Sequence, residues 1–199
     1  MTKISLLFVL STIILSPFLG GVTKYLSKEK LVKKMQEGGL VLYFRHASTE
    51  KDYADQVDAD VNDGSTQRVL SEKGWHEAVD IGRAMRYHKI PVSKVLSSEY
   101  FRAWQTAWLA FEKYEKKSEF NFLPHEDYTK EQMVEMKKRV LPYLSKKHDL
   151  GGNLVIVAHD DPFEATTGIY PEPMGVCYVV KPLGDAKFEI LGFISPSAW

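Results

Sequence analysis

The chain has 199 residues, 44% of them apolar and 26% charged, enough for one domain with a true hydrophobic core. Lys plus Arg and Asp plus Glu each number 26, so the formal net charge is zero. That balance excludes a global electrostatic attraction to nucleic acid or to an anionic membrane surface, and any anion site must be local.

In chain order, one cation at Lys3 precedes an almost wholly apolar run, Ile4 to Leu15, which Ser16-Pro17 and Gly20-Gly21 then break. This is the layout of a secretory leader over residues 1–22, with a domain over 23–199 that works in the periplasm or beyond. The run is shorter than the ~20 apolar residues of a spanning helix. It also lacks an Ala-x-Ala site, so cleavage and retention as an N-terminal membrane anchor both stay open. Ser27 to Glu37 has helical periodicity, with Leu31, Val32 and Met35 on one face. Leu40 to Phe44, entered from Gly38-Gly39, reads as an interior strand, and it ends on Arg45-His46.

Ala47 to Arg68 shows no periodicity and reads as a loop or flap holding Asp52, Asp55, Asp58, Asp60 and Asp63. Its segment Asp58 to Gly64 starts like a calcium loop. The glycine comes one position late, however, and Val69 stands where the twelfth-position Glu belongs, so it reads as a solvated acidic flap. Arg68 suits either a surface role or a reach from the flap into a pocket. Ser71 is an N-cap for a helix over Glu72 to His88, with Ala78, Ile81, Met85 and Trp75 inward and Pro91 ending it.

Val92 to Leu96 reads as a strand, Ser97-Ser98 as a turn and Phe101 to Tyr114 as a helix. Asn121 to Leu123 reads as a short strand, and Lys130 to Lys147 as a helix kinked or divided by Pro142. Leu154 to Ala158 is a second buried strand, ending at His159-Asp160, and Asp161-Pro162 resembles the N-cap and N1 of a helix. Val176 to Val180 and Lys187 to Phe193 read as strands joined through Pro182 to Asp185. Cys177, the only cysteine, lies in an apolar run and reads as a buried thiol. The alternation of strands and helices predicts an α/β layered domain with a largely parallel sheet.

Two features point to chemistry. First, two buried strands end alike, at Arg45-His46 and at His159-Asp160; as parallel neighbours they would bring two imidazoles to one crevice at their carboxyl ends. Second, Arg102 falls in the first turn of a predicted helix. The helix dipole disfavours a cation there unless an anion compensates it, and the same helix start welcomes that anion. Arginine offers a fixed fork of donors to an oxyanion, and an imidazole supplies a nitrogen that can attack or share a proton. The other histidines (His76, His88, His125 and His148) have no metal-ligand spacing.

These residues resemble the histidine phosphatase superfamily, which includes phosphoglycerate mutases and acid phosphatases. Arg45-His46-Ala47 is similar to its Arg-His-Gly signature, and Leu70-Ser71-Glu72-Lys73-Gly74 to its helix entry. Ser97-Ser98 through Arg102 to Ala107 is similar to its second Arg motif, and Ala158-His159 to its second His. The resemblance spans about residues 38–165. It implies a three-layer α/β/α sandwich of phosphoglycerate-mutase type with a mostly parallel central sheet. It also implies phosphomonoester hydrolysis through a phosphohistidine on His46, with Arg45, Arg102 and His159 around the phosphate. No cofactor or metal enters that chemistry, so activity should survive chelation.

Two departures matter. Ala47 puts a methyl where glycine is commoner, expected close to the phosphate pocket. The general acid is expected at Asp160, which follows the second His as in the acid-phosphatase branch although Asp161-Pro162 replaces the rest of that motif. Glu126, roughly in the region of the mutase branch's Glu but without a clear motif, is next, and a site with neither would favour good leaving groups. The expected partner is a phosphorylated small molecule or envelope component, with no nucleic acid and no membrane contact beyond the N-terminal segment. The non-catalytic alternative is an envelope protein of the same fold that binds a phosphorylated ligand, such as a phosphosugar or lipopolysaccharide core, without turnover.

Overall fold

The computed structural model describes residues 25–52, 54–124, 127–148 and 151–199. The leader expected over 1–22 and the candidate Glu126 lie outside the described residues. Helix α1 (Lys28–Glu37) leads into β1 (Val41–Arg45), and after the flap come α2 (Glu72–Tyr87), β2 (Val92–Ser97) and α3 (Phe101–Phe111). The short β3 (Glu115–Lys116), α4 (Lys130–Ser145), β4 (Asn153–Ala158), α5 (Asp160–Thr167), β5 (Cys177–Gly184) and β6 (Lys187–Ile194) follow.

The strands form one sheet in the order β3-β2-β4-β1-β5-β6. The pairs β3/β2, β2/β4 and β4/β1 are parallel, and β5 alone runs against its neighbours. β1 and β4 are buried along their whole length, which explains their continuous apolar sequence. Side chains alternate across the sheet. Leu42, Phe44, Val155 and Val157 pack with Leu31, Met35, Ile81, Met85, Ala107 and Ala110 of α1, α2 and α3. Val41, Tyr43, Leu154 and Ile156 pack with Val140, Leu144 and Phe163 of α4 and α5. The result is the three-layer α/β/α sandwich that the resemblance implies.

β1 connects onward to β2 on one side of the sheet, through α2 on one face. β4 connects onward to β5 on the other side, through α5 on the opposite face. The crevice between the carboxyl ends of β1 and β4 is therefore a topological switch point, the place where open α/β sheets bind ligands.

Several local expectations need correction. The Phe101 helix ends at Phe111, where Glu112 takes a left-handed conformation (φ 60°). The following residues instead supply the edge strand β3, while Asn121 to Leu123 is irregular. Pro142 does not divide α4, which runs on to Ser145: the missing N–H costs the helix one bond, to the Lys138 carbonyl, three residues before its end. Helix α5 starts two residues early, with His159 at the N-cap and Asp160 and Asp161 in the first turn. Trp75 is 45% exposed rather than inward. The β5–β6 hairpin turns at Asp185-Ala186, both left-handed, two residues beyond the expected turn's centre. In the flap, the Asp60 carboxylate accepts from Asn62 and the Asp63 carboxylate from Ser65, which is ordinary turn chemistry.

The helix-entry motif has a steric cause. Ser71 caps α2 by accepting from the Gly74 N–H at 3.1 Å. The backbone N–H and hydroxyl of Ser71 both donate to the Ser48 carbonyl, at 3.1 and 3.2 Å. A Cβ at Gly74 would lie 1.8 Å from that carbonyl oxygen, so only glycine lets the root of the flap rest on the helix. Gly74→Ala should destabilise the fold by about 1–3 kcal/mol through overpacking, although alanine is the better helix former. Urea denaturation checks this: the midpoint drops while the slope is unchanged.

Candidate active site

The end of β1 hands the chain directly into the crevice. The His46 backbone N–H continues the ladder by donating to the Ala158 carbonyl at 2.9 Å, and its own carbonyl accepts from Gly175 at 2.8 Å. Both neighbours are thus used to fix the backbone that carries the imidazole. The ring Nδ1 lies 2.9 Å from the Ala47 carbonyl, which can only accept, so Nδ1 carries the proton. Nε2 is left with its lone pair, toward which Arg102 Nε–H points at 3.2 Å. Thr106 on α3 steadies this arrangement by accepting from the Ala47 N–H at 3.1 Å while donating to the Arg102 carbonyl at 2.7 Å. The Ala47 methyl packs with Leu70 and Ala78, so it does not crowd the pocket as expected.

His159 follows β4 as its counterpart. The two imidazoles are 5.5 Å apart between centroids, as the paired strand endings predict. A chain of hydrogen bonds assigns the His159 tautomer. Asn121 donates to Glu99 at 2.8 Å and accepts the Ser98 hydroxyl proton at 2.7 Å. Ser98 Oγ must then accept at 2.8 Å from His159 Nε2–H, leaving Nδ1 bare, buried and without a partner among the described residues. Tyr43, from the middle of β1, fixes the backbone by donating to the His159 carbonyl at 2.8 Å.

Two buried guanidiniums flank the rings. Arg102 stacks against Tyr100 and Phe122, both at 5.2 Å, and donates to Asp55 at 2.8 Å. The anion that the start of α3 requires is therefore a flap carboxylate. Arg45 donates to the Pro171 carbonyl at 3.1 Å, stacks on Tyr170 and forms an ion pair with Asp160 at 2.7 Å. Its Nε is buried and unpartnered.

A cavity of about 660 Å³ opens beside these groups, lined by Asp55, Arg68, Arg102, Tyr128, Asp160 and Asp161 among others. Arg68 thus reaches the pocket from the flap, with its Nε buried and unpartnered, and its charge acts on both histidines. Sequence reasoning left Arg68 undecided and did not single out Asp55, Ser98, Phe122 or Tyr170. Asp55 is one acid among several in an aperiodic loop, and nothing local separates it from the others.

Burial comes first among the causes that push both imidazoles well below the ordinary histidine value, followed by the Arg102 charge. Both rings are neutral in the folded protein near neutral pH. Asp161 moves the other way: burial, then the charge of Asp160, push it up to about 6. Cys177 is buried in the core, and its burial raises its thiol, as expected of an inert residue.

No family model and no curated protein matches the sequence. Solved structures do match by fold. The protein histidine phosphatase SixA complexed with tungstate superposes with a TM-score of 0.58 at 14% identity, covering 79% of this chain and 97% of its own. A mycobacterial glucosyl-3-phosphoglycerate phosphatase complexed with VO3 gives 0.58 at 15% identity, covering 78% and 99%. A phosphoserine phosphatase variant from Entamoeba histolytica in complex with phosphoserine gives 0.57 at 13% identity, covering 80% and 98%. At these identities the likeness establishes the fold, that of the phosphoglycerate-mutase-like histidine phosphatases.

Two outcomes test the electrostatics. Asp161→Asn removes a carboxyl whose folded value is raised, so the unfolded chain releases its proton first as pH rises from about 3.8 toward 6. Wild type loses stability across that window and stays penalised above it. The variant should therefore gain up to ~3 kcal/mol at pH 7.5 and lose that advantage by pH 3.5, read as thermal midpoints. Asp55→Asn frees Arg102 of its ion pair. Inorganic phosphate or vanadate should then bind about tenfold more tightly by calorimetry, the worth of one charge-assisted contact.

Proposed function

We propose that this protein is a phosphatase that takes the phosphoryl group of a phosphomonoester or related phosphoryl compound onto His46 Nε2 and then passes it to water. One observation carries this reading. The Nδ1–H of His46 is held by a carbonyl, and its Nε2 lone pair faces a buried guanidinium that can also hold the oxygens of a phosphate. A neutral imidazole attacks phosphorus, and splitting the displacement into two steps lowers each barrier. Arg45 and Arg102 hold the phosphoryl oxygens, with Arg68 as a further cation, and His159 joins them by taking up a proton on its bare Nδ1 as the anion arrives. Phosphoryl transfer depends mainly on positioning and charge stabilisation, which these groups supply without a metal. Asp55 leaves Arg102 when the oxyanion arrives.

The named structural neighbours act on or hold a protein phosphohistidine, a phosphorylated sugar acid and phosphoserine. Their common element is the phosphoryl group, so the proposal stops at that class. The cavity wall also carries Asp127 and Asp161, an acidic rim that disfavours polyanionic substrates beyond the transferred phosphate. The proposal that the enzyme works outside the cytoplasm, on an envelope component or other phosphorylated small molecule, rests on the apolar run Ile4 to Leu15 alone.

The test is hydrolysis of nitrophenyl phosphate in the presence of a chelator. Wild type should turn over, and His46→Ala should lose at least ~1,000-fold with its thermal midpoint preserved. An alkaline denaturing quench of the wild type should trap a phosphohistidine that survives base and hydrolyses on later acidification. Phosphate binding without turnover on any phosphoester would instead support the non-catalytic ligand-binding role.

A further inference from the structure

The site holds more carboxylates than a phosphate pocket needs, and their partners separate their roles. Asp55 is engaged twice, by Arg102 Nη1 at 2.8 Å and by the Arg68 backbone N–H at 2.7 Å. Asp160, directly after the second histidine, is engaged by Arg45 at 2.7 Å. Both carboxylates are thus committed to a guanidinium rather than turned free toward the cavity. Asp127 lines the cavity mouth but is exposed. Asp161 is different. It lies in the first turn of α5, lines the same cavity as Arg68 and Arg102, and takes part in no ion pair among the described residues.

Resting on the phosphatase reading above, we infer that Asp161 is the general acid and base of the reaction, and that Asp160 instead positions Arg45. Burial beside Asp160 raises Asp161 to about 6, which keeps a share of it protonated near neutrality. In the first step the His46 Nε2 lone pair forms the N–P bond as the P–O bond to the leaving group breaks. The Asp161 carboxyl proton passes to the departing oxygen, which leaves as a neutral alcohol. In the second step water attacks phosphorus and the N–P bond breaks, returning the lone pair to Nε2. The Asp161 carboxylate takes the proton from water, and inorganic phosphate is released. His46 Nδ1 keeps its proton and its bond to the Ala47 carbonyl throughout.

The experiment compares glycerol 2-phosphate, a poor leaving group, with nitrophenyl phosphate, a good one that needs little protonation. Asp161→Asn should lose about 100-fold in kcat/KM, which reports the step that expels the leaving group, on glycerol 2-phosphate and less than about threefold in kcat/KM on nitrophenyl phosphate. Asp161→Glu should recover part of the alkyl activity, which a merely structural role would not predict. Asp160→Asn should lower both substrates together, because it releases Arg45 from its position. Equal losses for Asp161→Asn on the two substrates, or a selective alkyl loss in Asp160→Asn or Glu126→Gln, would overturn the assignment while leaving the phosphatase reading intact. A wild type inert toward both substrates would overturn that reading, and this assignment with it.

Discussion

The parallel pairing of β1 with β4 is the constraint on which the rest of the site depends. Its register sets Val41 against Leu154 and Arg45 against Ala158, so the two strands end level. The next hydrogen bond, from His46 N–H to the Ala158 carbonyl, carries the ladder one residue past β1. His46 and His159 then leave the sheet side by side, each on a backbone fixed by the neighbouring strand. A slip of one residue in either strand would turn every side chain to the opposite face and bury an imidazole in a hydrophobic layer. The aliphatic packing on both sides of the sheet prevents that slip, so core stability and site geometry share one cause.

Around the histidines, charge is arranged in pairs that a ligand can exchange. Arg102 is buried at the start of a helix, where the dipole opposes a cation. It is held there by the faces of Tyr100 and Phe122 and by Asp55. Because Asp55 comes from the flap, its contact with Arg102 fastens the loop to the start of α3. Arg45 is held differently, by a carboxylate on α5 that belongs to the fixed framework. One guanidinium is thus poised to change partners while the other is anchored.

Much of this was legible in the chain. The apolar runs predicted β1 and β4 and their shared ending, and the capping pattern at Ser71 and the helix-start cation at Arg102 have direct structural causes. The parts that were not legible depend on distant segments. Phe122 looked like strand sequence but works as a wall beside Arg102 and His159. Asp55 and Arg68 lie in a stretch with no period, where only the folding back of the flap tells a pocket residue from a solvated one. Pro142 looked like a breaker, but the helix continues only three residues beyond it, to Ser145.

Local sequence determined which residue types stand at the strand ends and helix starts, because periodicity and capping act over a few neighbours. The choice of an arginine and a histidine after one buried run, and a histidine after another, was already written there. Tertiary structure alone decided how the three acids nearest those groups divide. Asp55 goes to Arg102, Asp160 goes to Arg45, and Asp161 is left lining the cavity with no ion pair among the described residues. Asp160 and Asp161 are adjacent and chemically identical in the chain. They differ only in direction from the first turn of α5, and that direction is set by the packing of the helix on the sheet.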